Sequence, residues 1–134
     1  MMWDEVMARV RTMILDDLIL SSIFGNAFRK SGPNDQLVPV IEWTLLGDTE
    51  NELWTPMLVQ FDCWTNVAAD ARLAERRLRS LFHRPTTIVL DGVTLFAEYA
   101  DGTDLATPDR AGYTGRGLRF RFTPLRRQYA LPAH

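Results

Sequence analysis

Cys63, His83 and the terminal His134 are the side chains in this 134-residue sequence that nucleophilic or thiolate-metal chemistry would draw on. Cys63 follows Val59 and Phe61 at a spacing of two, so it falls on the apolar side of a strand, where a thiol behaves as a small hydrophobe. His83 sits at the end of a helical pattern, where a cation complements the helix dipole. A nucleophile and base pair would require these two to meet in a cleft. Paired acids are the other source of acid-base or metal chemistry: Asp16 with Asp17, and Asp48, Glu50 and Glu52 in one connection. Adjacent aspartates on a helix point to different sides, and the three loop acids lack the glycine-set spacing of a calcium loop. Glycines 112, 115 and 117 precede a strand rather than opening a helix, which is the wrong setting for a phosphate loop. No catalytic residue, cofactor site or metal site is expected, and the chain reads as a non-enzyme.

Cationic chemistry is better represented. The stretch "GYTGRGLRFRF" places Arg116, Arg119 and Arg121 within eleven residues of a chain whose net charge is only -2. Ten of the eleven arginines from Arg72 onward, with Tyr99, Tyr113 and Trp64, form a candidate basic face with stacking rings for nucleic acid. Against that stand a single lysine and the acidic overall balance. Residues 1–65 hold ten acids against four bases, -6, and residues 66–134 hold seven acids against eleven bases, +4. That polarity suits a basic patch, and equally a subunit whose acidic side meets the basic side of a copy of itself.

The elements that must position these residues are legible from periodicity. Trp3, Val6, Met7, Val10 and Ile14 recur at helical spacing with Asp4 and Glu5 in the first turn. Asp16 or Asp17 caps a second short helix ending at Phe24, with Gly25 as its terminator. Ile41, Trp43 and Leu45 alternate with Glu42 and Thr44, and Met57, Val59, Phe61 and Cys63 alternate with Gln60 and Asp62, giving two strands. Their connection, residues 46–56, is longer than a hairpin needs. Asn66 caps a helix whose stripe is Val67, Ala71, Ala74, Leu78 and Leu81. Asp91-Gly92 marks a two-residue hairpin turn inside residues 86–99, residues 101–115 read as a second long loop, and a last strand covers residues 116–123. There Leu118, Phe120 and Phe122 face the core while Arg119 and Arg121 face outward.

The expected fold is α+β: a single domain over residues 1–134, with helices packed on an antiparallel sheet in the order helix, strand, strand, helix, strand, strand, strand, and residues 124–134 as a C-terminal tail. One cysteine excludes an internal disulfide. Asp4 and Glu5 stand where a secretory leader needs basic residues, and no apolar run approaches the ~20 residues of a membrane span. A cytoplasmic site of synthesis is the default.

Asp17, Leu20, Ile23, Phe24 and Gly25, followed by Phe28, resemble a segment of the small tail terminator or tail completion proteins of long-tailed phages of the phage lambda type. "VPVIEW", then Val59, Asp62 and Trp64 in a V-x-x-D-x-W pattern before an alanine-rich helix, and a closing "GLRFRF" continue the likeness from about residue 3 to residue 123. Residues 46–56 and the terminal "PLRRQYALPAH" match no motif of that family. The resemblance implies a structural virion protein at the head-tail junction. It would form a ring of six copies that caps the head-proximal end of the tail tube, stops its polymerisation and offers a surface for head joining. Its partners would be its own copies, the tail tube protein, a head completion or connector protein, and DNA in transit, with no membrane. On that reading Asp48, Glu50, Glu52, Trp54, Tyr113, Arg76 and Arg79 lie at subunit or tube interfaces, and Arg119 and Arg121 face the lumen or the outer side of the sheet. A head-tail connector of the same particle and a nucleic-acid-binding module are the alternatives.

Overall fold

The computed structural model describes residues 3–32, 38–47, 56–82, 86–90, 93–106 and 110–125, with the backbone alone at 86–90, 93 and 125. Helix α1 (Trp3–Asp16) buries Trp3, Val6, Met7, Val10 and Ile14, the stripe its spacing predicts. Asp17 then breaks the helix and starts the next. Its extended backbone and its carboxylate, which accepts from the amides of Ile19 (3.0 Å) and Leu20 (2.9 Å), cap α2 (Leu18–Phe24). Gly25 closes α2 at a φ of 62°, a left-handed value that glycine adopts without strain.

Six strands follow: β1 (Phe28–Lys30), β2 (Val40–Leu46), β3 (Met57–Thr65), β4 (Thr86–Leu90), β5 (Val93–Leu105) and β6 (Thr114–Leu125). They lie in the order β1-β2-β3-β6-β5-β4, and every neighbouring pair is antiparallel except β1 with β2. Helix α3 (Ala68–Leu81) connects β3 to β4 and packs on β3 and β6. The fold is α+β in one domain. Its core lies between the helices and one face of the sheet, around Phe61, whose ring stands 5.6 Å from Phe120, 6.0 Å from Phe82 and 6.1 Å from Phe28.

Four expectations need correction. Strand β1 was not expected, because three residues are too few for alternation to register; hydrogen bonding beside β2 defines it. The element order is longer than the seven elements expected, by β1 and by α2, the short helix that an aspartate at 16 or 17 was expected to cap and that Asp17 does cap. Residues 101–105 are strand, not loop. An irregularity at Ala100, between Tyr99 and Asp101, shifts the side-chain alternation while the ladder with β6 continues to Leu105, which hides the strand from a period-two reading. Finally, the cap of α3 is Val67 without a side-chain hydrogen bond, not Asn66, and Val67 is exposed rather than part of the buried stripe of Ala71, Ala74 and Leu78. Leu90 pairs with Val93, the two-residue hairpin spacing expected, although Asp91 and Gly92 lie outside the described residues.

Candidate interaction surface

Strand alternation divides the arginines of "GYTGRGLRFRF" between two faces. Arg116 shares the helix-covered face with Leu118, Phe120 and Phe122, and there its guanidinium reaches Glu75 of α3 (2.8 Å) and Asp104 of β5 (3.2 Å). Arg119 and Arg121 lie on the opposite face, as expected. Each is met by the acid placed across the strand: Asp101 at 3.2 Å from Arg119, and Glu98 at 4.0 Å from Arg121. Cross-strand pairs of opposite charge on an exposed face each contribute a few tenths of a kcal/mol, up to about 1 kcal/mol.

The same outer face holds a buried charge cluster beside β3. Glu42 on β2 is 5% exposed and Arg110, from the β5–β6 connection, is 8% exposed. They form a two-pronged pair, Nη1 to Oε1 at 2.9 Å and Nη2 to Oε2 at 3.0 Å, while Arg29 of β1 adds a third contact at 3.1 Å. Burial alone would push the Glu42 carboxyl up; the hydrogen bonds and charges of Arg110 and Arg29 outweigh it and hold the group below its ordinary value. The Arg110 guanidinium also stacks 4.9 Å above the ring of Trp64. Trp64 lies in turn across Gly115, where an added Cβ would stand 2.6 Å from the ring. Asp62, next to Trp64 on the same face, accepts from Gln60 at 2.7 Å; burial raises its carboxyl above the ordinary range, against the pull of that hydrogen bond.

These contacts fix the β5–β6 connection over the sheet. The Tyr113 amide donates to the Arg110 carbonyl (3.1 Å), Gly112 takes a φ of 92°, and the Tyr113 side chain is left 47% exposed. The fully buried Thr65 hydroxyl reaches the carbonyls of Val67 (2.8 Å) and Thr114 (3.4 Å), so Val67 and Tyr113, both exposed, belong to the same end of the sheet.

The expected site residues are therefore separated. Tyr113 is at the surface, Arg76 is exposed on α3, and Arg79 is held against the protein by Glu75 (3.7 Å) and the ring of Tyr99 (4.1 Å). Asp48, Glu50, Glu52 and Trp54 lie outside the described residues, as does His83. Cys63 is fully buried in the core cluster, and burial with the nearby Asp62 and Glu75 charges pushes its thiol far above its ordinary value, so it offers no thiolate at neutral pH. Among the described residues no three His, Cys, Asp or Glu side chains group as metal ligands, and no helix is long and apolar enough to cross a membrane.

Sequence reasoning missed the Glu42–Arg110–Trp64 cluster. A signal existed: the glycines of "GRG" stand across from Trp64 and Asp62, since Gly115 pairs with Trp64 and Gly117 with Asp62. Small residues opposite large or polar ones on one face indicate a filled outer face rather than a phosphate loop. Compared with known protein families, curated proteins and solved structures, the chain matches none.

Proposed function

We propose that this protein is a structural subunit of the tail terminator type, assembling with copies of itself into a ring at the head-proximal end of a phage tail tube. The observation that carries the proposal is the placement of the motif residues behind the resemblance. Asp62 and Trp64 lie together on the sheet face away from the helices, where Gln60 donates to Asp62 and Trp64 packs across Gly115 and beneath the Arg110 guanidinium that Glu42 holds. A wall of cross-paired charges suits a subunit that holds its shape while partners press on it. The same pairing weighs against a nucleic-acid grip. Arg119 and Arg121 already face Asp101 and Glu98, which would cancel most of their attraction for phosphate.

The test is the native mass of the purified protein across concentration, with negative-stain images of any assembly, alone and with tail tubes. Closed rings that cap tubes and stop their growth support the proposal. A monomer that leaves tube growth unchanged and binds duplex DNA with steep salt dependence replaces it with the nucleic-acid reading.

A further inference from the structure

An open sheet ends in two edges, and each row of unpaired backbone groups there is a template for another strand. Among the described residues three stretches are open on one side: β1, β4, and the part of β5 beyond Ala97, where β4 ends. Two of them carry the features with which sheets block pairing at their edges. β1 holds Arg29 and Lys30 in three residues. The open part of β5 holds Glu98, Asp101 and Asp104, and its ladder with β6 is irregular between Tyr99 and Asp101. β4 has no such guard. Its five residues, "TTIVL", include neither a charge nor a proline, and four of the five are β-branched.

We infer that the open edge of β4 pairs antiparallel with the same edge of a second copy, about a two-fold axis at Ile88.

The backbone sets the register. Leu90 and Val93 close a two-residue hairpin, so these two exchange hydrogen bonds, and alternation along the ladder gives Ile88 with Leu95 and Thr86 with Ala97 the same bonding. Thr87 and Val89 fall at the intervening pairs. Their N–H and C=O groups therefore point away from β5, to the open side. Two copies brought edge to edge satisfy these groups when Thr87 of one stands opposite Val89 of the other. The match occurs twice, once in each direction, giving four hydrogen bonds with Ile88 opposite Ile88.

Charge selects the occupant. Against β1 of another copy, β4 would meet Arg29, which Glu42 already engages, and the exposed Lys30. Against the open part of β5 it would meet three acids. Of these edges, β4 alone brings a neutral strand to a neutral strand, with no charge to desolvate. The contact is two-fold and confined to one edge, so it is additional to the head-to-tail contacts of the proposed ring and does not depend on them. A ladder this short gives a dimer that dissociates on dilution.

The experiment is sedimentation equilibrium of the full chain across concentration, with Val89→Pro as the variant. Proline removes the outward N–H of Val89 and leaves the ladder with β5 in place, the setting in which an edge strand accepts it. A reversible monomer–dimer equilibrium is expected, weakened about tenfold in the variant by the loss of two hydrogen bonds. A matching circular dichroism melt shows that the variant folds. Cysteine cross-linking tests the register without proline, since a hydrogen-bonded pair sets its Cα atoms about 5.5 Å apart, within disulfide reach. Under mild oxidation, Thr87→Cys protein mixed with Val89→Cys protein should form a linked dimer faster than either alone, the native Cys63 being buried. A chain that stays monomeric to about 1 mM, a dimer equally strong in Val89→Pro, or cross-linking no faster in the mixture than in either protein alone overturns the inference. Rings built by a chain that shows no such dimer uphold the ring reading and refute the pairing. A dimer that Val89→Pro weakens, in a chain that forms no rings with or without tail tubes, upholds the pairing and refutes the ring.

Discussion

Glu42 and Arg110 are 68 residues apart in sequence and meet in a buried, two-pronged ion pair with oxygen to nitrogen distances of 2.9 and 3.0 Å. The pair ties the β5–β6 connection to β2 across β3, and Trp64 supplies the floor on which the guanidinium rests. Buried pairs of this kind are costly to break singly and cheap to replace together, because a lone charge left behind has lost both water and partner.

Glu42→Ala should therefore destabilise the protein by about 3–5 kcal/mol, whereas Glu42→Leu combined with Arg110→Met should cost far less. Chemical denaturation of the two variants decides the point. If the single variant melts with the double, the pair is not as dry as the structure shows.

Gly115→Ala should destabilise by about 1–3 kcal/mol, since the new methyl must displace the Trp64 ring or bend β6. Tryptophan fluorescence should change with it, because Trp64 is 3% exposed in the native fold. A variant with unaltered melting and unaltered emission would contradict the packing.

The helices, their buried stripe and the inward residues of β2, β3 and β6 were legible because each is a local pattern: Trp3 to Ile14 repeats with the helical period, and Leu118, Phe120 and Phe122 repeat with the strand period. The charge cluster was not legible, because Glu42 alternates outward like any solvated acid and only the folding of a distant connection over the sheet buries it. The end of β5 was hidden for a different reason. "DGTD" has turn composition, and its strand state comes from the ladder with β6 rather than from its own residues.

Asp17 combines a helix cap with a bond to Arg77, whose Nε lies 3.1 Å from its Oδ2. Burial raises its carboxyl, but Arg77 and the amides of Leu20 and Ile19 lower it further, so the folded value lies below the ordinary 3.8. A depressed acid stabilises the fold above its unfolded value and loses that contribution as pH falls through the folded one. Asp17→Ala should cost about 1–2 kcal/mol at neutral pH, with the difference from wild type shrinking in acid. Asp17→Asn should retain most of the cap and lose the acid dependence; thermal melts from neutral to strongly acidic pH measure both.

Cys63 should be inert to an aromatic disulfide reagent in native buffer, and should react only as denaturant unfolds the chain, in step with the loss of ellipticity. Rapid labelling of the native protein would show that the core opens locally around β3, and the role of this thiol as a small hydrophobe would have to be abandoned.

Asp62 has the opposite linkage from Asp17. It is an acid whose folded value is raised, by burial first and by the Glu42 charge next, with Gln60 and Arg110 only partly opposing. Its ionised form is disfavoured in the fold, so the fold loses stability as pH rises from the ordinary value of 3.8 through the raised one, and the penalty persists at neutral pH. Asp62→Asn keeps an oxygen to accept from Gln60 and removes the charge. The variant should be more stable than wild type at neutral pH, and the two should converge in acid, where Asp62 is already neutral. Melts of both proteins across that range test the sign directly: a variant less stable at neutral pH would mean that the Asp62 charge holds Arg110 in place, and that the cluster depends on two acids rather than on Glu42 alone.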